Sequence, residues 1–235
     1  MTRQLMPPPP AAMFNEALTV FEFPKLLAMA PALLAKVADN PRDVLVVPGF
    51  GAGNASTSVL RGYLSRLGHR VEGWPFGTND GEVPDQIEAL REWVVERANQ
   101  RGPLTLVGWS LGGYLSREVA RDAPGAVRQV ITMGSPIKGG PKYTQIAQVY
   151  RQRGYDLDEI EQQILEREQV PLKVPVTALY SQRDGVVAWQ ACVDEDEALS
   201  ENILVDTSHS GFGFSAEVFR IVAERLDRAP PSSER

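Results

Sequence analysis

Ser110 stands in Gly108-Trp109-Ser110-Leu111-Gly112, a G-x-S-x-G spacing. A serine hydroxyl becomes a useful nucleophile only when a base takes its proton and the backbone lifts it clear of its neighbours. Small residues two positions to either side let the chain turn sharply from strand to helix, with the serine at the apex. The spacing alone is a weak signal. Here the apolar run 104–108 precedes it, and Leu111, Tyr114, Leu115 and Val119 follow at helical spacing, so the turn has the context it needs.

The chain holds two histidines, His69 and His209, and one cysteine, Cys192. One cysteine excludes an internal disulfide framework and any multi-cysteine metal site, and two histidines argue against a histidine-rich metal centre, so no metal is expected. Any histidine base for Ser110 is therefore one of two residues. His209, in Asp206-Thr-Ser-His209-Ser-Gly-Phe212, falls between the last strand-like run and the last helical one, in a loop that can reach the serine. His69 precedes a strand, at the entry end of a sheet, and reads as a packing residue. Cys192 has no histidine neighbour and reads as an incidental buried thiol.

An imidazole base needs a carboxylate to fix its tautomer and stabilise its charged form. Asp184 follows the run 176–180 and precedes Gly185, which allows a tight turn that presents the carboxylate. Asp206 is the rival, but it lies close to His209 in sequence and suits a loop cap. The order Ser110, Asp184, His209 favours Asp184. Acyl transfer also needs donors for a developing oxyanion. The backbone N–H of Leu111, next to the serine, is one candidate. The other is the N–H of Phe50 in Pro48-Gly49-Phe50-Gly51-Ala52-Gly53, whose glycines let amides face inward. The same loop lacks the lysine and spacing of a nucleotide-binding turn.

These residues need elements to hold them. Short apolar runs recur at 43–47, 71–74, 104–108, 127–133, 176–180 and 202–205, and helical patterns lie between them at 56–67, 84–99, 111–122 and 216–226. Such alternation predicts an α/β fold with a mostly parallel central sheet and helices on both faces. In such sheets ligands bind at the carboxyl ends of the strands. The polar stretch 143–169 interrupts the alternation and reads as two amphipathic helices. We expect a small helical cap insertion over 139–172, set in a domain of 13–235, and a disordered proline-rich tail over 1–12. Trp109 and Phe212 adjoin the site and are candidate substrate-pocket residues.

The net charge of −6, from 24 basic and 30 acidic residues, offers no basic stripe for phosphates and argues against nucleic acid as a partner. The N-terminus has no apolar core ahead of a small-residue cleavage site, so no signal peptide and a cytoplasmic location are expected. The most apolar stretch, 26–37, contains Pro31 and Lys36 and falls short of the roughly 20 residues of a membrane span. It reads as an amphipathic helix on the body of the domain, with peripheral membrane contact through 15–38 as the alternative.

With Ser110, Asp184 and His209 in this order and the Pro48-Gly49-Phe50-Gly51 turn, the chain resembles the α/β-hydrolase superfamily over about residues 43–228, and within it the compact bacterial lipase and esterase type. Gly77-Thr78-Asn79 and Gly134-Ser135-Pro136 are further stretches of that kind. Many esterases carry His-Gly before the oxyanion residue, where this chain has Pro48-Gly49. The resemblance implies a cofactor-free serine hydrolase that cleaves small-molecule carboxylic esters through an acyl-enzyme, and the apolar face of the expected cap suggests a hydrophobic acyl chain. An acyltransferase or amidase would use the same residues, and a non-catalytic binding protein could keep the fold alone.

Overall fold

The computed structural model describes residues 5–195 and 198–228. Among these, six strands form one sheet in the order β2-β1-β3-β4-β5-β6, every pair parallel. The strands are β1 (Asp43–Val47), β2 (Arg70–Gly73), β3 (Leu104–Trp109), β4 (Val127–Met133), β5 (Val176–Tyr180) and β6 (Ser200–Leu204). The helices are α1 (Thr19–Leu33), α2 (Ser58–Arg66), α3 (Val83–Arg101), α4 (Leu111–Asp122), α5 (Ala147–Gln152), α6 (Leu157–Glu168) and α7 (Ala216–Asp227). The fold is the expected α/β arrangement.

Successive side chains of a strand point to opposite faces, and both faces here are buried. Val44 and Val46 pack with α1, α2 and α7 on one side, through Leu26, Leu33, Leu60, Leu64, Phe219 and Val222. Leu45 and Val47 pack with α3 and α4 on the other, through Ile87, Leu90, Val94 and Leu115. This is why the strands read as unbroken apolar runs. The chain steps outward from β1 to β2 and then crosses back to β3. The point where strand order reverses lies between β1 and β3, whose carboxyl ends carry the glycine-rich loop and Ser110.

Helices α5 and α6 lie between β4 and β5, preceded by a 3₁₀ helix at Gly140–Tyr143. Asp156 caps α6 by accepting the N–H groups of Asp158 and Glu159. Arg167 ties α6 to α4 through Glu118 and, at 2.9 Å, Asp122. Tyr155 donates to Glu82 at 2.5 Å and Arg153 to the Asp80 carbonyl at 2.6 Å, so the turn between α5 and α6 is fastened as well.

The N-terminal segment differs from the sequence reading. Of the tail expected to be disordered, residues 1–4 lie outside the described residues, but 10–12 open a 3₁₀ helix, Pro10–Leu18, that runs into α1. Proline at the first turn of a helix lacks only an N–H that has no intrahelical partner, so the composition does not preclude this turn. The segment is also tied down, since Gln145 donates to the Pro8 carbonyl at 2.6 Å. Helix α1 ends at Leu33, short of the expected 37, because the Ala38 N–H turns to the Leu67 carbonyl at the end of α2. Residues 229–235 of the expected domain lie outside the described residues. No helix among the described residues is long and apolar enough to cross a membrane.

Candidate active site

Ser110 occupies the turn between β3 and α4 with φ 54° and ψ −124°, and it alone among the described non-glycine residues has a positive φ. Such a conformation costs on the order of 1–3 kcal/mol and persists only where the surroundings impose it. They do so here. The Ser110 N–H donates to the Met133 carbonyl at 2.8 Å, and the Ser110 carbonyl accepts from Gly113 at 3.0 Å. The glycines let three backbones meet. A methyl group on Gly112 would collide with the Val47 and Pro48 carbonyls, and one on Gly108 with the backbone of Gly112 and Gly113. The Ser110 hydroxyl makes no hydrogen bond to a described residue, His209 included, whose ring is bonded only to Asp184.

Asp184 and His209 come from the loops after β5 and β6 and meet at 2.7 Å, Oδ2 to Nδ1. The other carboxylate oxygen accepts the N–H groups of Val186 and Val187 at 2.8 and 2.7 Å, which fixes its orientation. Both side chains are buried. Burial by itself would lower the His209 pKa, but the Asp184 charge and hydrogen bond, with Glu16 adding to them, outweigh it and raise the value above the ordinary one. With Nδ1 facing the carboxylate, Nε2 is the ring nitrogen left to act as a base. Gly134, next to Met133, lies against the pair. A methyl group there would sit 3.1 Å from Asp184 Oδ2 and 3.2 Å from His209 Nδ1. Asp206 is turned outward to Arg183 at 2.8 Å and takes no part.

The loop after β1 is pinned by Asn79, fully buried, whose side chain donates to the Pro48 carbonyl at 2.9 Å. The Asn79 backbone adds an N–H to the Ala52 carbonyl at 2.9 Å and accepts from Gly51 at 2.7 Å. Gly49 lies against the serine, where a methyl group would be 3.1 Å from Ser110 Cβ. Neither the Phe50 nor the Leu111 N–H has a hydrogen-bond acceptor among the described residues. Both stay available as donors beside Ser110. The Phe50 ring packs on Tyr150 of α5, centroids 5.4 Å apart, under the Arg153 guanidinium.

Ser110 and Leu111 open onto a cavity of about 540 Å³ between the sheet and the inserted helices, lined by Ile87, Tyr114, Ile146, Tyr150, Ile160 and Val187 among others. Its size falls in the range of small-molecule sites. Trp109 and Phe212, expected in the pocket, lie elsewhere. Trp109, the last residue of β3, packs against the core on the α1, α2 and α7 side and on Gly213, with its ring 6.1 Å from that of His209. Phe212 is fully buried in the core beneath His209. His69 is also buried, at the start of β2, and its Nδ1 accepts the Arg42 N–H at 3.2 Å; burial lowers its pKa. Cys192 is buried and burial pushes its thiol pKa up, as suits an unreactive residue. Among the described residues no group of three or more His, Cys, Asp or Glu is placed to hold a metal ion.

Sequence reasoning missed Glu16, which reaches the loops of Asp184 and His209 from the N-terminal 3₁₀ helix. A single acidic residue in a proline-rich, apolar stretch carries no local signal for such a contact.

Comparison with known proteins agrees with this architecture. A family model described as alpha/beta hydrolase fold matches residues 33–153. A palmitoyl-protein thioesterase, the mitochondrial ABHD10 of Bos taurus, is 24% identical over 193 residues, which cover 68% of this chain. The matched region spans only 63% of that relative's length. The structure of mouse alpha/beta hydrolase domain-containing protein 10 superposes with a TM-score of 0.53 at 20% identity, covering 81% of this chain and 89% of the other. Bacillus licheniformis lipase BlEst2 in its mature form superposes with a TM-score of 0.61 at 14% identity, covering 80% of this chain and 95% of the other.

Proposed function

The chain belongs to the alpha/beta hydrolase family, and we propose that it is a serine hydrolase that cleaves carboxylic esters of apolar acyl groups through Ser110, His209 and Asp184. The observation that carries this reading is the 2.7 Å Asp184–His209 contact at the same end of the sheet as a strained serine that opens onto an apolar cavity. In the first step Ser110 Oγ attacks the ester carbonyl while His209 Nε2 takes its proton. The new C–O bond leaves an oxyanion, which the N–H groups of Phe50 and Leu111 stabilise. Asp184, holding Nδ1–H, stabilises the imidazolium. The carbonyl re-forms, the alcohol leaves with the proton from His209, and the acyl group stays on Ser110. Water activated by His209 then attacks the acyl-enzyme and regenerates the serine.

The acyl chain occupies the cavity beneath α5 and α6, which act as a cap over the site. A thioester is the second candidate substrate, because a relative of this chain carries the name of a palmitoyl-protein thioesterase. The same residues serve both, since only the leaving atom changes. Hydrolysis of p-nitrophenyl esters from two to sixteen carbons, and of matching acyl thioesters, tests the reading. We expect turnover that rises with chain length until the cavity is filled and that Ser110→Ala lowers by several orders of magnitude. Wild-type rates in that variant would exclude it.

A further inference from the structure

Glu16 is a carboxylate with three backbone donors drawn from two distant loops. The N–H groups of Gly185 and His209 donate to Oε1 at 2.9 and 3.0 Å, and that of Ser210 donates to Oε2 at 2.7 Å. Gly185 follows Asp184 directly, and His209 is the proposed base itself. We propose that Glu16 is a positioning residue whose carboxylate ties the Asp184 loop to the His209 loop, so that the N-terminal segment completes the acid–base pair. This rests on the reading of Ser110 as nucleophile and His209 as base.

The chemistry of the contact requires an ionised carboxylate. Two oxygens receive three N–H donors, and bonds to a charged acceptor are about twice as strong as neutral ones. Burial opposes the charge on Glu16, but the donors outweigh it and hold the carboxyl below its usual range. A glutamine would have to aim an NH₂ group at one of the N–H donors. The fit is close, because a methyl group on Gly185 would lie 3.1 Å from Glu16 Oε1. The rest of the segment is fastened along the same line. Thr19 Oγ1 bonds Ser208 Oγ at 2.7 Å, Thr207 donates to Glu22 at 3.4 Å, and Pro8 is held by Gln145 beside the inserted helices.

The charge also acts on the reaction. Around His209 the charged groups are Asp184 from the β5 loop and Glu16 from the 3₁₀ helix, both favouring the imidazolium. Glu22 on α1 reaches Thr207 in the same loop, and the buried Cys192 thiol feels the Asp184 charge. Positive charge develops on a general base in the transition state, so a second carboxylate next to it lowers the barrier through the field as well as through geometry.

The test uses the full chain with Glu16→Gln and Glu16→Asp. For each we would measure kcat/KM against pH with a soluble p-nitrophenyl ester, the rate of Ser110 labelling by a fluorophosphonate, and thermal unfolding. Glu16→Gln should lower the plateau of kcat/KM by about tenfold to a hundredfold, the range expected when a base is slightly misplaced. Its acid limb should move to lower pH, because a negative neighbour of His209 is gone. Glu16→Asp keeps the charge, so its limb should stay in place and its plateau should lie between the other two. A purely structural anchor would lower the unfolding temperature and leave the limb where it is. A Glu16→Gln profile that superimposes on the wild type, or a lower plateau with an unmoved limb, would overturn the inference. If Glu16→Gln does not fold, Glu16→Asp decides, with an unchanged plateau overturning it. Wild-type protein that is not labelled at Ser110 would instead overturn the nucleophile reading on which this rests.

Discussion

Replacing Gly134 with alanine separates the acid–base pair from the fold that carries it. Gly134 has φ +55°, and its N–H donates to the Leu179 carbonyl at 2.9 Å, so the backbone cannot easily swing away. Alanine in this region costs about 1–2 kcal/mol. The new methyl would also stand 3.1 Å from Asp184 Oδ2, 3.2 Å from His209 Nδ1 and 2.9 Å from Phe212 Cε2. Phe212, the shortest contact, is enclosed by the core, so the strain is shared with the two catalytic candidates, which must give by a few tenths of an ångström. A hydrogen bond to a charged group contributes about 1.5–3 kcal/mol, so losing part or most of it predicts a fall in kcat/KM of about tenfold to a hundredfold. Gly77→Ala is the control. It has φ +76° and no atom within 4 Å of the added methyl, so it carries a positive-φ backbone penalty without the contact. Both variants should unfold at lower denaturant by a similar amount, and only Gly134→Ala should lose ester hydrolysis. Equal activity in the two would show that the close approach to Asp184 and His209 does not govern turnover.

Other predictions follow from the same geometry. Asp184→Asn should lower kcat by about 10⁴, as expected when a base loses the carboxylate that sets its tautomer, whereas Asp206→Asn, which breaks an exposed ion pair, should change activity by no more than about twofold. Activity should rise with pH through the His209 pKa, which lies above the ordinary histidine value, because only the neutral ring can take the serine proton. His69→Gln should leave ester turnover intact. Since burial lowers the His69 pKa, the wild type loses stability as pH falls through the unfolded histidine value of about 6.5, and the variant should lose less, as read by denaturant titration at several pH values. Tyr150→Ala should slow long-chain esters more than short ones, because Tyr150 lines the cavity and supports Phe50.

Much of this molecule was legible in the sequence because its elements announce their own surroundings. Strands β1, β4 and β5 and helix α4 fall where the apolar runs and helical spacing put them, since a strand buried on both faces must be apolar throughout. The Asp184–His209 pair followed from loop placement at strand ends. What stayed hidden depends on contacts between distant parts. Phe212 adjoins the His209 loop in sequence, yet its ring turns inward to fill the core, and nothing local distinguishes that from a pocket wall. Trp109 precedes Ser110 in sequence, yet its ring joins the core on the α7 side of the sheet. Glu16 meets the His209 loop across nearly the whole chain, and proline content misrepresented the order of the segment that carries it.

The central claim is that Ser110 is the nucleophile and His209 its base. Peptide mass mapping after exposure to a fluorophosphonate tests it most directly, with wild type, Ser110→Ala and His209→Ala compared. The account predicts one adduct on the Ser110 peptide of the wild type, none on Ser110→Ala, and labelling of His209→Ala slowed by several orders of magnitude with no rescue by His69. An unlabelled Ser110 in folded wild-type protein, or equal labelling with and without His209, would contradict it.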